Sequence, residues 1–154
     1  MTRRAIHDPL HMHPPLILLI EADNNSRLCA ANEMLDAGYE VVEGDNALEA
    51  MSILSGRDDF NALVADVDLD RAPGGLALVR WIAGTKRHVS IIVTSEWTEA
   101  QTELTELGAK FLTRPYSDGA LVRKLRTMLR PPPSTPKRSN DSRALSASGY
   151  KPFC

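Results

Sequence analysis

The chain has 154 residues, enough for one compact domain with tails and too few for two ordinary ones. Hydrophobic residues make up 43% and charged residues 25%, both globular averages, which excludes a chain disordered throughout. The net charge is −2, but residues 16–130 hold 12 basic against 18 acidic side chains, while residues 1–15 carry +1 and residues 131–154 carry +3. An acidic body argues against broad phosphate-backbone binding, so nucleic acid is not an expected partner.

The longest apolar stretch, Leu16–Ile20, is far too short for a membrane span. The N-terminal MTRRAIHDPLHMHPP has two arginines but no apolar run leading to a small-residue cleavage site, so it does not read as a signal peptide. Cys29 and Cys154 lie far apart without CxxC spacing and make neither a disulfide framework nor a zinc site, which fits a reducing compartment. The expected setting is the cytoplasm, without a membrane partner.

Strand-like and helix-like segments alternate along the chain. LILLI (residues 16–20) is a short continuous apolar run, as expected of a strand buried on both faces. In NNSRLCAANEMLDAG, Leu28, Ala31 and Leu35 lie at helical spacing and Gly38 is a natural stop. YEVVEG is a second strand. DNALEAMSILSG follows as a helix with Ala47, Ala50, Met51 and Leu54 on one face, and Asn46 with Glu49 at capping-box spacing. ALVADVDL contains the third strand and LALVRWIA the third helix. SIIVTS is the fourth strand, and Ala100, Leu104 and Leu107 share a face of the helix after it. AKFLT is the fifth. SDGALVRKLRTML closes the body with Leu121, Leu125 and Met128 inward and Ser117 as its cap.

Five βα units with short connections predict an α/β domain, a doubly wound parallel sheet with helices on both faces, over residues 16–130. Residues 1–15 read as a flexible extension. Residues 131–154, rich in Pro, Ser and charge, read as a disordered tail, too short for a second folded domain. His7, His11 and His13 lie near one another but lack supporting acids, and Lys137, Arg138, Arg143 and Lys151 read as solvated linker charges.

Ligands of open α/β sheets bind beyond the carboxyl ends of the strands. There the chain places Glu21, Ala22 and Asp23 after the first strand, and Asp66, Asp68 and Asp70 after the third. Thr94 and Ser95 end the fourth strand, and Arg114 and Pro115 follow the fifth. Any one of these alone is an ordinary turn or strand residue. Acid, acid, hydroxyl and cation together suit phosphoryl transfer to an aspartate. Crowded carboxylates repel unless a cation lies among them, and a hard ion such as Mg²⁺ answers that need while screening incoming phosphoryl oxygens.

Through ILLIEAD, LVADVDLDRAPGGLALV, IIVTSE and GAKFLTRPY, residues 16–130 resemble the CheY-like receiver domain of two-component response regulators. The resemblance implies a flavodoxin-like five-stranded sheet in the order 2-1-3-4-5. It implies Asp66 as phospho-acceptor, Thr94 as the coupling hydroxyl and Phe111 in place of the aromatic switch residue. Glu21, Asp66 and the backbone carbonyl of Asp68 would ligate Mg²⁺, with Asp23 a candidate to reach it through water. The Arg114–Pro115 bond matches a position usually cis in the family. The chain departs from the pattern twice: Ala22 replaces the second acid after the first strand, and Arg114 stands where the family has lysine. Weak Mg²⁺ binding and slow or kinase-dependent phosphorylation of Asp66 are therefore expected.

The function implied is that of a single-domain response regulator rather than an enzyme. A histidine kinase or phosphotransfer protein loads it, and it signals to a downstream protein target. Two alternatives stand beside this. One is a degenerate pseudo-receiver, a phosphorylation-independent interaction module. The other is a phosphatase of the haloacid-dehalogenase type, suggested by the DxD string Asp66-Val67-Asp68, although that motif normally follows a first strand.

Overall fold

A computed structural model describes residues 13–66, 74–96 and 99–129. Strands β1 (Leu16–Ile20), β2 (Glu40–Gly44), β3 (Ala62–Asp66), β4 (Ser90–Ser95) and β5 (Lys110–Thr113) form one parallel sheet in the order β2-β1-β3-β4-β5. Between and after them run α1 (Asn24–Asp36), α2 (Ala47–Gly56), α3 (Gly75–Thr85), α4 (Gln101–Glu106) and α5 (Ala120–Met128). This is the expected flavodoxin-like topology.

The period of two along each strand divides the core. Leu18 and Ile20 of β1, with Leu63 and Ala65 of β3 and Ile91 and Val93 of β4, face α2, α3 and α4. Ile17 and Leu19, with Ala62, Val64 and Ile92, face α1 and α5. Because both faces are covered, the central strands read as unbroken apolar runs.

Helix α2 forms as predicted. Asn46 Oδ1 accepts from Glu49 N–H (2.8 Å), and Glu49 Oε2 accepts from Asp45 N–H (3.1 Å). Ala47, Ala50 and Leu54 are buried and Met51 is half-buried. On α4, Leu104 is buried and Ala100 and Leu107 pack beside it. Gly38 ends α1 at a φ of 94°, where a side chain would be strained.

Two local expectations are corrected. Leu28 and Leu35 of α1 face solvent, 54% and 50% exposed; of the expected stripe Ala31 is buried, with Ala30 and Met34 beside it. Both stripes have helical spacing. The 27-30-31-34 stripe faces the sheet, with the Arg27 guanidinium donating to the Glu21 carbonyl (2.8 Å) and lying 3.6 Å from Glu43. On α5, Leu121, Val122 and Leu125 are buried and Met128 is half-buried, but Ser117 is not the cap. Gly119 holds the cap position at a φ of 79°, and the Ser117 hydroxyl instead accepts from Arg123 (3.2 Å).

Expectations for residues 1–12, Asp68, Asp70 and residues 130–154 lie outside the described residues, and the expectation of no disulfide is corrected at Cys29, which is disulfide-bonded. Among the described residues no helix is long and apolar enough to cross a membrane.

Candidate functional site

Four polar residues are buried in the described structure, Glu21, Asp66, Thr94 and Ser95, and all four lie at the carboxyl edge of the sheet. Burying a polar group is costly unless it is satisfied, so their concentration at one edge marks a built site. Glu21 follows β1 directly. Asp66 closes β3 and pairs in register with Thr94 of β4. Arg114 follows β5, its N–H bonded to the Ser95 carbonyl (2.9 Å). The Arg114–Pro115 peptide is cis, as the resemblance implied.

One nitrogen joins the set. Arg114 Nη2 donates to Glu21 Oε2 and to Thr94 Oγ1 (3.0 Å), and lies 3.4 Å from Asp66 Oδ2. Glu21 Oε1 accepts from the Asp23 N–H (3.0 Å). Burial alone would lower the Arg114 guanidinium's pKa, but Asp66 and Glu21 outweigh it and hold the group above its ordinary value. Its charge is permanent.

The structure thus brings Glu21, Asp66, Thr94 and Arg114 together and leaves Asp23 apart. The exposed Asp23 carboxylate caps α1, accepting from Ser26 N–H (2.7 Å), and this bond pulls its pKa below the ordinary value. Phe111 lies half-buried on β5 against the α2–α4 side of the core, paired with Val93, and its carbonyl accepts from Lys124 Nζ (3.0 Å).

The described donors do not fit a divalent cation. No group of three or more His, Cys, Asp or Glu side chains among the described residues is placed to hold a metal ion. Position 22 offers only a methyl group, and both oxygens of Glu21 are engaged. Two carboxylates already face a fixed guanidinium.

Sequence reasoning missed a cavity of about 410 Å³ beside this cluster. It lies between α1 and the segment before α5, with Ser26, Ala30, Glu33, Tyr116, Glu21 and Arg114 in its walls. Burial raises the pKa of Glu33 and of Tyr116. The signal for Glu33 was available, since it shares a helical stripe with Ser26 and Ala30, but it was hidden by taking Leu28 and Leu35 as the inward face.

Fold and site define a doubly wound α/β domain with an acid, a hydroxyl and a cation at its switch edge. The chain belongs to the response regulator receiver domain family, which matches residues 17–126. It is similar to a chemotaxis protein CheY homolog of Campylobacter jejuni, 25% identical over 120 residues, covering 73% of this chain and 91% of the relative. A response regulator receiver protein from Pseudomonas putida has a TM-score of 0.69 at 25% identity, covering 75% of this chain and 98% of that one. The protein TrrA from Thermotoga maritima, solved in complex with Mg²⁺-BeF, has a TM-score of 0.67 at 21% identity, covering 75% and 99%, and shows the common fold. Receiver domains are signalling modules of two-component systems, generally not enzymes, and typically bind Mg²⁺. The phosphatase alternative gives way to this assignment.

Proposed function

We propose that this chain is a cytoplasmic phosphorelay response regulator. It accepts one phosphoryl group on Asp66 from a histidine kinase or phosphotransfer protein and signals by altered binding to a downstream protein. The observation that carries the reading is the buried Asp66 carboxylate, 3.4 Å from a permanent cation that also holds the Thr94 hydroxyl.

An Asp66 carboxylate oxygen attacks the donor's phosphorus in line, and the phosphorus–donor bond breaks as the acyl phosphate forms. Arg114 lies where negative charge collects on the transferred oxygens. The Thr94 hydroxyl, now accepting from Arg114, is free to turn its own proton to a phosphoryl oxygen. Drawing Thr94 toward position 66 opens space beside β4, and Phe111 on the adjacent strand is the aromatic placed to respond. The surface around α4 and β5 is then what a partner reads.

Treatment with acetyl phosphate, followed by Phos-tag electrophoresis and intact-mass measurement, tests this. Wild type gains one phosphoryl group slowly and Asp66→Asn gains none. Equal labelling of the two proteins removes Asp66 from the mechanism, and an unlabelled wild type favours a phosphorylation-independent module.

A further inference from the structure

We infer that Arg114 takes the place of the divalent ion in this chain, so that the acidic pocket keeps its charge balance and its shape without Mg²⁺. The inference rests on the arrangement around one nitrogen and not on phosphorylation of Asp66. Arg114 Nη2 is hydrogen-bonded to Glu21 and to Thr94 and lies 3.4 Å from Asp66, within reach of both buried carboxylates. A divalent ion would have to displace the guanidinium from Glu21 to reach two oxygens, with no third carboxylate among the described residues to offset the loss. Mg²⁺ also demands near-octahedral oxygen ligation, and the two buried carboxylates that could begin such a shell already face the guanidinium.

The two departures from the family pattern then explain each other. Ala22 removes the acid that would draw in a metal, and arginine at 114 reaches across to the acid that remains. Lysine has one compact ammonium, whereas the planar guanidinium has separate donors. It can keep Glu21 on one nitrogen and offer others to an anion on Asp66. The backbone anchor from Arg114 N–H to the Ser95 carbonyl and the bond to Thr94 hold cation and hydroxyl as a preassembled pair.

Thermal unfolding in MgCl₂ against NaCl at matched ionic strength, paired with Mn²⁺ paramagnetic broadening of amide resonances, tests the inference. Wild type shows no Mg²⁺-specific rise in Tm up to about 10 mM, ten times a millimolar Kd, and no broadening centred on Glu21 and Asp66. Arg114→Ala gains both responses. Should that variant fail to fold, Ala22→Asp/Arg114→Lys, which restores the acidic pair and a compact cation, binds Mg²⁺ at least about tenfold more tightly than wild type. Saturable Mg²⁺ binding by wild type with broadening at the pocket overturns the inference, as does a folded variant that responds no more than wild type. If Asp66 does not label with acetyl phosphate, the phosphorelay reading fails while the titration still decides this one.

Discussion

The two faces of the sheet solve the same packing problem differently. Toward α2, α3 and α4 the cluster is entirely apolar, with Leu18, Leu54, Leu63, Leu78 and Ile82 fully buried. Toward α1 and α5 the apolar cluster is interrupted. Glu33 Oε1 and Tyr39 Oη, both on that side, are buried without a hydrogen-bond partner in the described structure, and the cavity of about 410 Å³ opens there beside Arg114. Among the described residues, the buried polar atoms left without a partner lie on the α1–α5 face. The difference teaches that the site rests on an apolar cluster on its α2–α4 side and borders open volume on its α1–α5 side.

The largest contrast is expected from adding volume. Ala50 is fully buried on α2, and Ala50→Leu should lower the unfolding free energy by about 1–3 kcal/mol. Ala30 borders the cavity, and Ala30→Leu should change stability by less than about 0.5 kcal/mol. Urea unfolding of the pair measures both, and equal losses would erase the distinction between the faces.

A smaller effect is expected at Tyr39, 2% exposed with its hydroxyl unpartnered. Tyr39→Phe removes a desolvated group without removing volume and should raise stability by about 1 kcal/mol. A loss on urea unfolding would show that the hydroxyl is satisfied after all.

The smallest is a pH effect at Glu33. Burial raises its carboxyl above the ordinary value despite backbone hydrogen bonds near the start of α5. The folded state therefore takes up this proton at a higher pH than the unfolded chain. The group weighs against folding at neutral pH, and that burden lifts as pH falls through the raised value toward the unfolded one. Glu33→Gln should flatten this limb of a Tm-against-pH profile. An unchanged limb would place the titration elsewhere.

Much of the fold was legible because its signals are local. Unbroken apolar runs at residues 16–20 and 62–65 imply strands covered on both faces. Asn46 with Glu49, and Gly38 after α1, mark helix ends through bonds made within a few residues. The rotation of α1 was not legible, because two stripes share the same period and tertiary packing chose Ala30, Ala31 and Met34 as the buried face. Ser117 failed as a cap for a related reason: its hydroxyl suits the role, but a positive-φ glycine two residues later sets the path of the chain.

At the site the division is similar. The order of acid, acid, hydroxyl and cation at successive strand ends is written in the chain, because a parallel sheet brings every strand's carboxyl end to one edge. Sequence alone determined which residues reach that edge and that Ala22 and Arg114 depart from the family's usual choices. Only the tertiary structure decided which groups pair. Asp23 turned to its own helix, and Arg114 reached Glu21, Thr94 and the neighbourhood of Asp66 at once. Such pairings join residues up to 93 positions apart, and their geometry depends on helix rotation and strand register, which no local pattern encodes.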